Sequence, residues 1–448
     1  MLPTYLRLLT CNCFVICWII GYDFRFYYRF YNRIFFSFGK NFVPSHESHY
    51  YRCIKATMDF ENLNRLNGLV NVFSANMLPL TNKKTNMPTY LRVYSIVVWT
   101  IELTYLTICI LGLFYVPKER ALQDSTVNIV VTLEVFLMTI YLSNRKTMLR
   151  RFIEKMNDTL AIDNETLKFI TIQTLKPLER PLKVYTIASI GTVVIWTALP
   201  LVQIFKKTEF YYVDYGVPAV LSKEPYSVNI FIGGVVLECF GAMFAIARKV
   251  SLDIYTMHLI LLMTAQYRYL RFQFQAVLEN KLESLKDSNN DANRRNNICV
   301  YIYYRMAVIL KSLLSPNVGI LYIDNIFRLC FLSFMIITVH YINSVHFETC
   351  LIALYAVGAV IQLYILCFYI QQLLESTTVM DDAFHTKWYV HGVPLKRVVA
   401  IMTMASKLEC RLSIFRSIDL TLPSFMSVRL YSIQRSRNYY TICIYIIF

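Results

Sequence analysis

Glu102, Glu134 and Glu238 each stand inside a long apolar run. A carboxylate in hydrocarbon costs several kcal/mol unless it is paired, protonated or hydrated. Two kinds of chemistry fit such residues. They can meet a polar group of a ligand or a water path, or they can tether one helix to its neighbour. Glu134, two residues from Phe136, is the best placed of the three as a ligand contact. Reaction chemistry has little to stand on. The seven histidines form no H-E-x-x-H, and neither G-x-S-x-G nor a phosphate-cradling glycine loop is present. His46 and His49 read as solvated, and His385 and His391 as structural neighbours of Trp388. The twelve cysteines are scattered, and Cys11 with Cys13 gives only C-x-C. Buried free thiols suit that pattern better than a metal or disulfide framework. The sequence therefore predicts no catalytic residue, no metal and no cofactor.

Elements able to hold those carboxylates follow from hydropathy. The 448 residues are 56% hydrophobic and only 17% charged, which a soluble chain of this length would not be. A crossing of ~30 Å of hydrocarbon takes ~20 mostly apolar residues. Spans are expected at Val93–Val116, Thr126–Leu142, Val184–Phe205, Val228–Ala247, Leu329–Val345, Thr349–Leu373 and about Ile414–Ile433. The last carries Arg416, Asp419 and Arg429 and is the weakest. A further apolar run, Val250–Ala265, follows Arg248 and Lys249. It is expected to continue the fourth helix or to lie against the membrane. As an eighth span it would invert everything after it. The fold class is thus an all-α membrane protein with seven transmembrane helices.

The formal net charge is +16. Hydropathy argues against nucleic acid as the partner and for membrane lipid. Lys and Arg gather in cytoplasmic loops. With the N-terminus inside, the great majority fall in the inside segments, with Arg145, Lys146, Arg150 and Arg151 at a span end. The expectation is a cytoplasmic N-terminus and an extracellular C-terminus. The sequons at Asn157 and Asn164 then face the cytoplasm and stay unmodified.

Residues 1–57 read as an N-terminal extension and 58–448 as the membrane domain. Pro3–Arg7 recurs identically at Pro88–Arg92, and Met58 begins a second plausible start, MDFENLNRLN. The extension is read as an upstream extension of a gene model, the alternative being a real amphipathic membrane-contacting segment. Lys281–Arg295 is polar and reads as a turn between helical arms.

Two blocks near the C-terminus are more specific: Glu375 to Tyr389 (ESTTVMDDAFHTKWY) and Leu420 to Val428 (LTLPSFMSV). In order and spacing they resemble the insect odorant receptor family. Its last cytoplasmic loop reads E-S-x-x-V-x-x-A-[FY]-x-x-x-W-Y, and its last span opens near L-[TS]-L-P-[ST]-F-M-S-V. From Met58 onwards shorter blocks add to the likeness, among them Phe114–Glu119 (FYVPKE) and Pro218–Pro225 (PAVLSKEP).

The resemblance implies a tuning subunit of a ligand-gated, non-selective cation channel in the plasma membrane of olfactory sensory neurons. It implies a heterotetramer with a co-receptor subunit, anchored by intracellular helices, with the seventh helices around one pore. The ligand would be a small volatile held in the outer half of spans 2, 3, 4 and 6, where apolar area supplies about 25 cal/mol per Å². Candidates at helical spacing are Leu133, Glu134 and Phe136, then Trp196 and Leu199, Phe231 and Val235, and Tyr355 and Ala359. Pore or subunit-interface candidates are Trp388, Tyr389, Leu422, Phe425, Val428 and Tyr431. After Val428 the chain departs from the family pattern. Arg429, Gln434, Arg435 and Arg437 replace a small spacer and an apolar tail. Either the end is mis-spliced or frame-shifted, which is the preferred reading, or this subunit lines no normal pore. A gustatory receptor-like channel and a G-protein-coupled chemoreceptor remain as alternatives. The charge asymmetry and the missing D-R-Y and N-P-x-x-Y motifs weigh against the second.

Overall fold

The computed structural model of the chain describes residues 58–81, 88–115, 126–161, 164–215, 217, 221, 224–283, 306–330, 332, 346–377, 413–414 and 418–419. The expected extension over 1–57 lies outside them, as does the terminal anomaly after Val428. Almost every described element is a helix. Two short ones, α1 (Phe60–Leu63) and α2 (Arg65–Phe73), come first among the described residues. They are followed by α3 (Thr89–Tyr115), α4 (Thr126–Asn144), α5 (Lys146–Leu160) and α6 (Glu165–Ala198). Then come α7 (Val228–Glu283), α8 (Met306–Cys330) and α9 (His346–Thr377). Among the described residues five helices are long and apolar enough to cross a membrane, and Ile129–Asn144 is a shorter apolar helix. The chain is a multi-pass membrane protein.

The helix α7 organises the bundle. Its 56 residues extend ~84 Å at 1.5 Å per residue, far beyond ~30 Å of hydrocarbon. The two halves are buried differently. Over Val228–Ala247, Ile230, Val236 and Phe240 stay exposed, as residues facing lipid do. From Val250 onwards the helix is enclosed on every side by protein: Val250, Leu252, Ile254, Tyr255, Leu259, Ile260, Leu261, Leu262, Met263 and Ala265 are 0% exposed. The run Val250–Ala265 is therefore no eighth span. It continues the fourth helix, as expected, into a protein core.

Several short amphipathic pieces build that core. In α5, Leu149, Phe152, Ile153, Met156 and Leu160 recur at helical spacing and are all buried in it. Lys146 at its start has its pKa lowered by burial and then by Arg150. The α1–α2 segment adds Phe60, edge-on to Tyr255 at 5.8 Å between ring centroids. The turn after α2 places Ala75 and Met77 at φ 54° and 50°. This is the left-handed region that disfavours any Cβ. Asn71 holds the turn closed, its carboxamide bonded to both the N–H and the C=O of Leu78 at 3.0 Å.

Three expected boundaries move. The third span, expected from Val184, belongs to a helix that begins at Glu165 and runs through Pro177 and Pro181. Asn164 caps its start by accepting from the N–H groups of Thr166 and Leu167. A 3-10 turn over Leu199–Phe205 finishes it. The helix α8 is already formed at Met306, well ahead of Leu329. It carries the buried polar residues Asn317, Asp324, Asn325 and Arg328 and is still apolar enough to cross a membrane. Most of the expected Leu329–Val345 span lies outside the described residues. Finally, Ile414 is not helical: Ser413–Ile414 pairs antiparallel with Ile418–Asp419.

Candidate functional site

A helix turns about 100° per residue, so the neighbours Arg248 and Lys249 on α7 point in different directions. Arg248 reaches α3 and meets Glu102 at 2.8 Å, while Lys249 reaches α4 and meets Glu134 at 2.5 Å. All four side chains are at most 2% exposed. The guanidinium and the Glu102 carboxylate face each other as charges rather than through aligned hydrogen bonds. Arg248 also lies 3.9 Å over the Trp99 ring, a cation–π contact strengthened by loss of water. Its backbone carbonyl accepts from the Asn76 side chain at 3.1 Å.

One turn on from Lys249, Asp253 shares its face. Its Oδ2 accepts from the Tyr185 hydroxyl of α6 at 2.7 Å and from Gln362 Nε2 of α9 at 2.6 Å. Gln362 Oε1 in turn accepts from Arg328 of α8 at 2.8 Å, and Arg328 also donates to Asn325. Tyr355 and Ala359 occupy the same face of α9 as Gln362, and the Tyr355 ring centroid lies 6.0 Å from Arg328. A belt of buried charge thus ties α3, α4, α6, α8 and α9 to α7.

A second feature lies at the other end of Val228–Ala247. The segment between α6 and α7 folds back on the helix. Phe210 and Tyr226 bridge backbone to backbone at 2.7 and 3.4 Å. Phe210 stacks on Phe231 at 4.2 Å, and Tyr215 packs beside that ring at 4.9 Å. Val235 completes the buried cluster. Burial raises the Tyr215 phenol above its ordinary range, with Tyr226 and Glu238 adding to the effect. Glu238 accepts from the Val217 N–H at 2.8 Å, and Lys207 binds Asp214 at 2.7 Å. Small residues on the helix permit the close fit. A Cβ at Gly241 would stand 2.5 Å from the Tyr105 ring, and one at Gly234 would meet Leu221 and Tyr215.

Four of the candidates from sequence fall in these two features. Phe231 and Val235 come together under the folded-back segment. Glu134 joins the belt through Lys249, and Tyr355 joins it beside Arg328. Ala359 is buried in the main core. Phe136 is half-buried against Trp99, 5.3 Å between centroids. Leu133 is exposed, while Trp196 and Leu199 are half-buried. Trp388, Tyr389, Leu422, Phe425, Val428 and Tyr431 lie outside the described residues. All three weighed carboxylates have tethers: Glu102, Glu134 and Glu238 each bind another segment of the chain. Sequence reasoning passed over their partners Arg248 and Lys249, and also Asp253, Arg328 and Gln362. The signal was two adjacent cations within 46 residues of otherwise spanning character.

The 7tm Odorant receptor family model matches residues 119–430. No curated protein sequence matches the chain. The fold is similar to the insect olfactory receptor OR5 from Machilis hrabei solved in complex with eugenol. The TM-score is 0.71 at 14% identity, covering 86% of this chain and 98% of that one. It is also similar to a structure of the same receptor named without a ligand. There the TM-score is 0.68 at 14% identity, covering 84% and 96%.

Proposed function

The chain belongs to the insect odorant receptor family, and from that premise we propose that it is a tuning subunit of an odorant-gated, non-selective cation channel. The observation that carries this reading is the family match over 119–430 together with a common fold across most of both chains. The partner is a co-receptor subunit in a hetero-tetramer, and the location is the plasma membrane of olfactory sensory neurons. The ligand is a small, mostly apolar volatile of eugenol's kind. It is bound among Leu133, Glu134, Phe136, Trp196, Leu199, Phe231, Val235, Tyr355 and Ala359. Such a molecule offers few hydrogen bonds, so shape and apolar area select it.

Gating is a population shift: the ligand opens the pore only by the ratio of its affinities for the open and closed states. The pore is placed at the last span, where Leu422, Phe425 and Val428 would form an apolar constriction that closes by dewetting. Trp388 and Tyr389 would pack between subunits. The cytoplasmic N-terminus is supported by the charge asymmetry and by the two sequons. Asn157 Oδ1 accepts from the Phe60 N–H, and Asn164 Nδ2, the atom a glycan would take, donates to Tyr269 at 2.8 Å.

The test is co-expression with an insect co-receptor and whole-cell recording against a volatile panel, for chains beginning at Met1 and at Met58. A volatile-evoked cation current that needs both subunits is expected. Its absence for every volatile, with both chains at the cell surface, would contradict the proposal.

A further inference from the structure

On α3, α4 and α6 the exposed surface changes from apolar to basic at one face of the membrane. Along α4, Leu133, Leu137 and Ile140 recur at helical spacing and are 53%, 48% and 52% exposed, as a lipid-facing stripe is. The stripe ends there, and Arg145, about 7.5 Å further along the axis, is exposed in its place. On α6 the exposed side chain changes from Lys183 to Val184, and on α3 from Arg92 to Val93. The chain leaves this face along α3, returns along α4 and leaves again along α6, so all these transitions lie on the same side. Positive charge gathers at the junction of α4 with α5. Arg145 turns back along α4, its guanidinium 5.6 Å over the Tyr141 ring. On α5, Arg151 is exposed, while Lys146 and Arg150 are half-buried. Lys146 and Arg150 stand one turn apart on one helix face, where like charges repel. The buried face of α5 holds them there. In the interior, Arg248 and Lys249 each meet a carboxylate. The junction cations meet none: among the described residues no acidic side chain pairs with them, not even Glu154, one turn beyond Arg150.

We propose that Arg145, Lys146, Arg150 and Arg151 form a binding surface for the headgroups of anionic phospholipids, with the exposed stripe of α4 against their acyl chains. Charge supports this occupant: the headgroups supply the negative charge that the chain itself does not bring to the junction. Guanidinium groups suit it as well, since their fork of N–H donors matches phosphate oxygens. Depth supports it most. The cations follow the apolar stripe directly, at the level where headgroups meet hydrocarbon, and their apolar stems can lie along the helix while the charged ends reach the phosphates. An acidic peptide or a nucleic acid would meet the same cations but would leave the adjoining leucines and isoleucine without a use. Anionic lipid is concentrated in the cytoplasmic leaflet, which agrees with the orientation proposed above. The surface is independent of the odorant reading, since it needs neither volatile nor co-receptor.

The experiment uses the full chain in neutral detergent micelles, titrated with phosphatidylserine or with phosphatidylcholine. A lipid that binds only the folded chain raises its melting temperature, so the titration midpoint reads the affinity. Phosphatidylserine should raise the wild-type melting temperature at a lower mole fraction than phosphatidylcholine, and its midpoint should climb with salt. Arg145→Gln/Arg151→Gln, which alters exposed side chains only, should raise that midpoint at least about fivefold. Lys206→Gln, on the opposite face, should leave it unchanged. If the double variant does not fold, Arg151→Gln alone should move the midpoint in the same direction. If neither folds, the headgroup preference and salt dependence of the wild type decide. Equal midpoints for the two lipids would overturn the proposal, as would a phosphatidylserine midpoint that ignores salt or the loss of the arginines. So would stabilisation by the water-soluble headgroup glycerophosphoserine alone, which would identify a site for free anions rather than for lipid.

Discussion

Breaking one side of the Arg248–Glu102 pair has a consequence large enough to measure. Arg248→Met leaves the Glu102 carboxylate, 2% exposed, with no cation at 2.8 Å. Removing one member of a buried pair costs about 3–5 kcal/mol, because the other charge stays desolvated. For a chain of this length, an unfolding entropy of ~2.1 cal/mol/K per residue makes ~1 kcal/mol correspond to about 1 °C. The expected fall in melting temperature is therefore about 3–5 °C. Glu102→Gln leaves the guanidinium with its Trp99 ring at 3.9 Å, so its loss should be the smaller of the two. The double variant Glu102→Gln/Arg248→Met has no buried charge at this point. It should regain at least about half of the loss, since neutral replacement of a buried pair is commonly near neutral. The assay is thermal melting followed by fluorescence size-exclusion in detergent, at one pH for all four proteins. If the double variant melts lower than either single one, by the sum of their losses, the two residues act independently and the pairing argument fails.

Other expectations follow from the same geometry. Phe231→Ala should destabilise the chain by about 3–5 kcal/mol and open Phe210–Tyr226 to limited proteolysis, since Phe210 and Tyr215 both rest on that ring. An unchanged cleavage pattern would mean that the folded-back segment is held elsewhere. Gly241→Ala should lose about 1–3 kcal/mol by crowding Tyr105, while Gly233→Ala, with nothing within 4 Å of its Cβ, should lose none. Equal melting temperatures for the two would refute the close approach of α3 to α7. Asn157→Gln and Asn164→Gln, expressed in insect cells, should migrate like the parent before and after glycosidase. A mass shift of the parent alone would place α5 and the start of α6 on the lumenal side.

How far the sequence could be read depended on the range of the interactions. The course of α7 was visible because hydropathy is local: a largely apolar run without Pro from Val235 to Ala265, broken by Glu238, Arg248, Lys249 and Asp253, reads as one helix. What covers it was not visible. Only assembly shows that Val250–Ala265 is sealed by protein rather than lipid. For α8 the sequence showed less: its described part, Met306–Cys330, lies ahead of the expected Leu329–Val345 span, and that Asp324 and Arg328 within it are buried is a matter of packing. For Glu102 and Glu134 the sequence offered a tether or a ligand contact. Their partners lie 146 and 115 residues away, a separation that no spacing rule encodes. The pairing of Phe210 with Tyr226 escaped for the same reason. The candidates on α4, α6, α7 and α9 were correctly placed on helices, but which face each presents depended on packing. Phe231 and Val235 face the folded-back segment, and Leu133 faces outward.

The central claim, that this chain forms part of the channel it gates, is tested most directly in an excised membrane patch. The patch should hold the chain and its co-receptor, with nucleotide-free solution on the cytoplasmic face. The account predicts that an effective volatile opens single channels that conduct both sodium and potassium and close when it is washed out. Patches that stay silent until GTP is supplied would contradict it, because the chain would then signal through a G protein rather than conduct.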